Sequence, residues 1–268
     1  MLRVKLSVVY AMGLITAALG LYGCSTAVVD KTLTMSPNAI YADAKDSMDN
    51  GQYDKAVPLL EKLEARAAGT PLAQQAQLDK AYAQYRNGEP AQAISTLDRF
   101  MKLHPASPAL DYALYLKGIV NFNDDLGLFS AISRQDLSER DQKASKEAFE
   151  SFKELIARFP QSRYAADAGQ RMNYIVSSLA QYEVHVARYY FKRGAYLAAL
   201  NRAQTALADY RDVPALEEAL FIAYKSYDAL GLTALRDDAR RVLETSYPQS
   251  EFLAKGFKTQ NDPWWKFW

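Results

Sequence analysis

Few side chains of this 268-residue sequence belong to the types that carry out catalytic or metal chemistry. There is one cysteine, Cys24, and there are two histidines, His104 and His185. A single thiol excludes both a disulfide framework and a thiolate zinc site, and the sequence has no phosphate-binding glycine loop and no serine in a nucleophile elbow. His104 precedes a proline at a predicted helix end, where we expect a solvent-exposed ring facing the helix dipole. We therefore predict no enzyme activity, no catalytic residue, no metal site and no cofactor.

The balance of positive and negative side chains indicates which class of partner the protein is suited to bind. Lys plus Arg number 32 and Asp plus Glu number 31, which gives a formal net charge of +1. Because no basic excess is available to hold a phosphate backbone, we do not expect nucleic acid as a partner. The acidic pairs Asp124-Asp125 and Asp237-Asp238 fall in a predicted loop and on a predicted helix surface. We interpret both pairs as solvated charge.

The N-terminus carries a pattern typical of export and lipidation. Two basic residues precede an uncharged stretch, residues 6–23, which ends at the lone cysteine. Its length lies near the lower edge of the ~17–25 residues that span a bilayer, so length alone leaves a retained anchor and a cleaved signal open. Leu21-Tyr22-Gly23-Cys24 resembles the bacterial lipobox, whose cysteine receives a diacylglycerol before cleavage. We predict a lipoprotein signal peptide over residues 1–23, lipidation of Cys24 and a lipidated tether over residues 24–36.

Small residues recur at a fixed spacing after Pro37. Three sets have members twelve positions apart: Ala44, Ala56 and Ala68; Ala81, Ala93 and Pro105; Ala187, Ala199 and Arg211. A glycine follows the first member of each set by seven positions, and Gly231 marks a further repeat. A small residue lets two helices approach closely, and glycine supplies the turn between them. The pattern resembles the tetratricopeptide repeat, and it predicts an all-α fold, an α-solenoid of about five helix pairs.

Two departures from the repeat predict local features. The third repeat is too long between its two helices, so we expect an inserted surface loop over residues 123–142. Apolar residues then keep 3–4 spacing from about Tyr164 to about Lys192, which predicts one long spine helix. The predicted organisation is N-terminal repeats over residues 37–162, the long helix with C-terminal repeats over 163–253, and an aromatic tail over 254–268.

Three segments narrow the resemblance: residues 111–118, 133–141 and 182–202. The last is specific, because generic repeats do not require the aromatic pair Tyr189-Tyr190 before the turn or Asn201-Arg202 after it. Together with the lipobox, these segments resemble the BamD family of outer-membrane assembly lipoproteins, also called competence lipoproteins in some bacteria. In the inserted loop, the resemblance marks Arg134, Arg140 and Asp141 as contact residues.

The resemblance implies a lipid-anchored scaffold of the β-barrel assembly machinery on the periplasmic face of the outer membrane. Its C-terminal repeats would hold a POTRA domain of the barrel subunit and other accessory lipoproteins, and its N-terminal repeats would receive the C-termini of unfolded outer-membrane proteins. Two other functions stay open at this point. One is an adaptor for peptidoglycan synthesis or hydrolysis, and the other is a competence or DNA-uptake factor, which the neutral charge disfavours.

The resemblance assigns the barrel subunit to the C-terminal repeats and the substrate to the N-terminal repeats, and each set of repeats offers candidate contact residues. For the barrel subunit we predict Arg188, Tyr189, Arg193, Tyr196 and Arg202. For substrate we predict five tyrosines, which can stack on aromatic segments and keep a hydroxyl for hydrogen bonds: Tyr41, Tyr82, Tyr85, Tyr112 and Tyr115. The alternative for each tyrosine is packing between helices, and the alternative for each arginine is ordinary solvated charge.

The last residues form an aromatic cluster that includes all three tryptophans of the chain: Trp264, Trp265, Phe267 and Trp268. Pro263 ends any preceding helix, and so few residues cannot build a core of their own. Exposed rings of this kind mark a partner or a membrane surface. A membrane contact, a partner subunit, a groove of the fifth repeat, the substrate pocket and a disordered tail all remain possible from the sequence.

Overall fold

The computed structural model describes residues 30–122 and 142–257, and within these ranges the chain forms helices and no strands. The α-helices are α1 (Pro37–Asp49), α2 (Tyr53–Arg66), α3 (Pro71–Arg86), α4 (Pro90–Leu103), α5 (Leu110–Phe122), α6 (Gln142–Arg158), α7 (Ala165–Lys192), α8 (Tyr196–Asp209), α9 (Ala215–Ala229), α10 (Thr233–Ser246) and α11 (Glu251–Lys255). The first ten make five consecutive pairs. The predicted all-α solenoid is confirmed.

Local sequence explains where several helices begin. The Ser36 hydroxyl accepts a hydrogen bond from the backbone N–H of Ala39, and Thr70 does the same for Ala73. Each of these caps precedes a proline in the first turn, where the missing N–H costs nothing. The starts of α1 and α3 are therefore encoded by a few adjacent residues.

The small residues lie where the helices of a pair cross. Ala44 and Ala56 are fully buried at 0% exposure, and Ala187 and Ala199 are equally buried in the fourth pair. Gly88, in the turn between α3 and α4, has φ of 79°, a left-handed conformation that favours glycine. The spacing of alanine and glycine thus encodes the crossing and the turn of each pair.

Successive helices pack on one another, and α7 joins the two halves. Its N-terminal half packs with α5 and α6 through Ile175 and Leu179. Its C-terminal half packs with α8 and α9 through Val184 and Ala187. The helix spans Ala165–Lys192, which confirms the predicted spine helix.

Helix α5 ends at Phe122 and α6 begins at Gln142, so the predicted inserted loop would fall between these two helices. The loop residues themselves, including Arg134, Arg140 and Asp141, lie outside the described ranges. So do residues 1–29 with Cys24, and residues 258–268 with Trp264, Trp265, Phe267 and Trp268. Among the described residues, no helix is both long and apolar enough to cross a membrane.

The last part of the predicted tether packs against α2. Residues Lys31–Thr34 form one 3-10 turn in which Thr32 is buried. Lys62 lies 2.8 Å from Asp30, and Arg66 donates a hydrogen bond to the carbonyl oxygen of Thr32. These polar contacts have no helical periodicity, so the sequence pattern did not indicate them.

The fifth pair differs from the others as a terminal repeat should. In its second helix, α10, Leu243 is the only buried residue, and Leu235 and Val242 are exposed. No further helix of the described chain covers that outer face. The short helix α11 instead packs on α9.

Candidate functional site

The five predicted substrate tyrosines all lie on the first helices of the first three pairs. Tyr41 is on α1, Tyr82 and Tyr85 are on α3, and Tyr112 and Tyr115 are on α5. Each is half-buried. We call these five residues the tyrosine row.

A buried carboxylate organises the first part of the tyrosine row. The Tyr41 hydroxyl donates a hydrogen bond to Asp79 Oδ2 at 2.9 Å, and Gln75 Nε2 donates to Asp79 Oδ1 at 3.0 Å. Asp79 is only 8% exposed. Burial raises the pKa of Asp79, and burial together with the negative charge of Asp79 raises the pKa of Tyr41 to about 12. The pKa of Tyr112 is also raised, mainly by burial and next by the negative charge of Asp79.

Tyr82 belongs to an aromatic and cationic cluster with Tyr53 and Arg86. The rings of Tyr53 and Tyr82 meet edge to face with centroids 6.3 Å apart. The Arg86 guanidinium donates to the Tyr82 hydroxyl at 2.8 Å and lies 5.1 Å from the Tyr53 ring centroid. Tyr85 packs against the core of the second helix pair.

The far end of the row continues onto α7. The Tyr115 ring stacks on Tyr164 with centroids 4.6 Å apart, and its hydroxyl donates to Asp167 Oδ2 at 2.8 Å. Arg171 Nε donates to the same oxygen at 2.7 Å. Although burial acts to raise it, these hydrogen bonds hold the pKa of Asp167 below its usual value. The Tyr112 ring centroid lies 5.6 Å from that of Tyr164.

The row is therefore a preorganised surface of tyrosine rings. The hydroxyls of Tyr41, Tyr82 and Tyr115 already take part in intramolecular hydrogen bonds. All three can offer ring faces and edges to a ligand, and Tyr82, which accepts its hydrogen bond, also keeps its own O–H donor. The sequence analysis missed Asp79 and Tyr164, and the only local signal near the row's far end is the Asp167–Arg171 pair at i, i+4 spacing. Substrate contact by the tyrosine row stays a prediction.

Two of the predicted partner-binding arginines join helices within the molecule. Nε and Nη2 of Arg188 donate to Oε1 and Oε2 of Glu218 on α9. Arg202 Nη1, on α8, donates at 3.1 Å to Glu183 Oε2 on α7. The Glu183 side chain is only 7% exposed, so Arg202 supplies a cationic partner to a buried carboxylate.

The other predicted partner residues form an exposed corner where α7 turns into α8. Tyr189 is 49% exposed, and the Arg193 guanidinium lies 4.8 Å from its ring centroid. Tyr196 is half-buried, with its ring 5.3 Å from that of Phe191. Leu197, which the sequence analysis did not identify, is 62% exposed beside them in the chain. We call Tyr189, Arg193, Tyr196 and Leu197 the α7–α8 corner.

His104 differs from the sequence expectation, because its ring is half-buried. It lies at the end of α4, with Nε2 3.2 Å from Gln77 Oε1 and its ring 5.1 Å from that of Phe100. Gln77 uses its Nε2 to donate to Glu64, so its oxygen faces the histidine and Nε2 of His104 must be the donor. The prediction of a solvent-exposed ring was wrong, since α3 brings Gln77 over the helix end. Across the described ranges, no group of three or more His, Cys, Asp or Glu could hold a metal ion.

Comparisons with known proteins identify the family of this chain. Residues 33–243 match the YfiO family, which is described as outer membrane lipoprotein. A protein of Neisseria meningitidis serogroup B, named outer membrane protein assembly factor BamD, is 45% identical over 95% of this chain and 98% of the relative. Relatives of the same name are 42% identical in Neisseria gonorrhoeae, over 98% of this chain and 99% of theirs, and 33% identical in Vibrio cholerae, over 87% and 95%. The chain belongs to the YfiO family of outer membrane lipoproteins.

Proposed function

We propose that this protein is a scaffold that assists the assembly of β-barrel proteins into the outer membrane, and that it acts by binding and not by catalysis. The observation that carries the proposal is the 45% identity, over 95% of the chain, to a protein named as an outer membrane protein assembly factor. The stacked helix pairs support it, because such folds present extended surfaces to partners. The tyrosine row and the α7–α8 corner are two such surfaces.

The α7–α8 corner is our candidate docking site for the POTRA domain of the barrel subunit. It combines a ring that is 49% exposed, a leucine that is 62% exposed and a cation stacked on the ring. Aromatic and arginine side chains dominate the binding energy of most interfaces. In this proposal Arg188 and Arg202 hold the neighbouring helices in position, through Glu218 and Glu183. Other accessory lipoproteins would bind elsewhere on the C-terminal repeats.

The tyrosine row is our candidate site for the aromatic C-terminal segments of unfolded outer-membrane proteins. The Tyr164 ring centroid lies 5.6 Å from that of Tyr112 and 4.6 Å from that of Tyr115, so three rings are grouped here. Aromatic side chains of a ligand can pair with such rings edge to face or offset. Lipidation of Cys24 would hold both surfaces at the periplasmic face of the outer membrane.

The docking proposal is tested by exchanging corner residues that form no ion pair with any residue of the described ranges. Tyr189→Ala combined with Arg193→Glu should weaken co-purification of the barrel subunit by about tenfold or more, as expected for loss of a hot spot. The thermal unfolding midpoint should stay unchanged. Lys102→Glu, an exposed charge reversal on α4, is the matched control and should co-purify normally. Unchanged binding by the double variant would refute this docking site.

Arg202→Glu is a poor test of docking for a physical reason. It would place a second carboxylate beside the buried Glu183, so the free energy of unfolding should fall as well. Any loss of binding could then arise from either cause.

The function itself is tested in cells depleted of their own copy of the protein. The wild-type chain should restore the amount of β-barrel proteins in the outer membrane and should co-purify the barrel machinery. Recovery of cell-wall enzymes or of DNA-uptake proteins in place of that machinery would contradict the proposal.

A further inference from the structure

After the last helix pair, the chain as far as Phe257 stays packed against the earlier helices. Phe252 of α11 stacks on Phe221 of α9 with ring centroids 5.5 Å apart. Phe257, two residues beyond α11, lies 5.0 Å from Phe221 and 5.1 Å from Phe191, centroid to centroid. Because Phe191 is on α7, the chain at Phe257 has run back across α9 and reached the spine helix.

One face of α7 extends from this point toward the helix N-terminus. Positions three or four apart share a helix face, and from Phe191 they are Arg188, His185, Gln181, Ser177 and Tyr174, which we call the α7 strip. A cavity of about 330 Å³ adjoins its middle and is lined by Gln181, Arg188 and Phe252, among other residues. The C-terminal segment therefore already borders the strip.

The α7 strip is aromatic at both ends and polar between them. At the far end Tyr174 is 42% exposed, and its ring meets that of Phe122 edge to face at 5.8 Å. At the near end Phe191 contacts Phe257. The exposed side chain of Gln181 lies between the two ends.

Residues 258–268 have the matching pattern and the matching length. They begin with five polar residues, Lys258 to Asp262, and end in the aromatic cluster after Pro263. Phe191 and Tyr174 are ~26 Å apart along a helix that rises 1.5 Å per residue. An extended chain covers ~23–29 Å from Phe257 to Trp264 and Trp265. The first two tryptophans can thus reach Tyr174.

We propose that residues 258–268 lie along the α7 strip, with their polar half over its polar middle and with Trp264 and Trp265 against Tyr174. Phe257 anchors the start of this segment on the same helix, so the tail meets the strip at an effective concentration in the ~mM range. Weak contacts suffice for occupancy at such a concentration. The occupant is this chain's own tail, and neither a membrane nor a second protein is needed.

Tryptophan fluorescence tests the proposal, because all three tryptophans lie in the tail. The lipidated full-length protein is placed in phosphatidylcholine vesicles, with and without brominated acyl chains. We expect emission at shorter wavelength and weaker acrylamide quenching than in the urea-unfolded chain, with no quenching by the brominated lipid. Tyr174→Ala should raise acrylamide quenching to the value of the unfolded chain.

Leu235→Ala is the matched control, since this side chain is similarly exposed, at 47%, and lies on α10, outside the α7 strip. It should leave the fluorescence unchanged. As a second measurement that does not alter α7, a photo-crosslinking residue at Trp265 should link within the chain to residues 171–178. Quenching by brominated lipid, full acrylamide quenching in the wild type, or crosslinks only to other proteins would each overturn the proposal.

Discussion

Two carboxylates on neighbouring helices, the half-buried Glu64 and the buried Asp79, have opposite pKa shifts because their partners differ. Glu64 forms ion pairs with two cations: its Oε2 lies 2.7 Å from Lys80 Nζ, and its Oε1 lies 2.9 Å from Arg99 Nη2. Although burial acts to raise it, hydrogen bonds from Lys80 and Gln77 and the two positive charges hold the pKa of Glu64 below its usual value. Asp79 has neutral hydrogen-bond donors, Tyr41 and Gln75, so burial prevails and raises its pKa.

The opposite pKa shifts predict opposite pH dependence. An acid whose pKa is raised on folding costs stability at neutral pH, and that cost disappears as the pH falls through its folded pKa and below ~3.9. We therefore expect the free energy of unfolding of Asp79→Asn at pH 7 to equal or exceed that of the wild type. The advantage should shrink toward pH 4, and urea titrations across this range measure it.

Glu64→Gln is the paired control. In the wild type, folding lowers the pKa of Glu64. The stability that its ion pairs provide is therefore present above pH ~4.3 and is lost as the pH falls through the folded pKa. The variant should be less stable than the wild type at pH 7, with a deficit that narrows in acid. If both variants shift stability in the same direction at pH 7, the contrast between the two sites is wrong.

Gly118 allows a close contact between the two helices of the third pair. A Cβ atom at this position would lie 2.3 Å from the Phe152 ring, which is fully buried. Gly118→Ala should therefore lower the free energy of unfolding by about 1–3 kcal/mol, as overpacking does. At Gly169 in α7 the nearest atom would be 3.9 Å away, so Gly169→Ala should raise stability by roughly 0.4–1 kcal/mol. Equal effects in thermal unfolding would contradict the argument.

At the level of elements, α7 is the only described helix that contributes to both the third-pair core and the core of α8 and α9. Leu179 belongs to the first cluster and Val184 to the second. Continuous backbone hydrogen bonding between them keeps the two cores in register. The cooperativity of the two halves should therefore depend on the middle of this helix.

Ser178→Pro tests that dependence. Proline removes one helical hydrogen bond and clashes with the preceding turn, at a cost of ~3 kcal/mol or more. We expect unfolding in urea to change from one transition to two, and a new protease site to open near residue 178. Ser178→Ala should keep the single transition. A single transition in the proline variant would mean that the cores couple through contacts other than α7.

At the scale of the whole molecule, the tyrosine row and the α7–α8 corner lie near opposite ends of α7. Tyr164 precedes the first residue of this helix, and Tyr189 lies in its last turn. The separation along the helix axis is ~38 Å. In the proposed function, this helix would keep a partner bound at one end apart from a substrate segment bound at the other.

The proposed membrane anchor also concerns the whole molecule. We expect Cys24 to be acylated and to become the first residue of the mature chain. Metabolic labelling with an acyl analogue should mark the wild type and leave Cys24→Ala unlabelled. Equal labelling of both chains, or a mature N-terminus at another residue, would contradict the predicted anchor.

The regular parts of the fold are predictable from short-range sequence. Alanines twelve apart, a glycine between them and capping residues such as Ser36 specify helix pairs, because crossing, turn and cap each depend on a few neighbouring residues. The unbroken 3–4 spacing up to Lys192 likewise predicted the spine helix. The packing of Asp30 and Thr32 on α2 carries no such period, and it was not predictable.

The sequence by itself determined the all-α class, the repeat, the place of the insertion and the family resemblance, since all of these depend on spacing along the chain. Only the tertiary structure decided which candidate side chains are engaged. Arg188 meets Glu218 thirty residues away, and Arg202 meets Glu183 nineteen residues away. Helix stacking brings these partners together, and no local pattern distinguishes them from solvated charges. The same stacking left Tyr189 and Leu197 exposed and carried Phe257 back to α7.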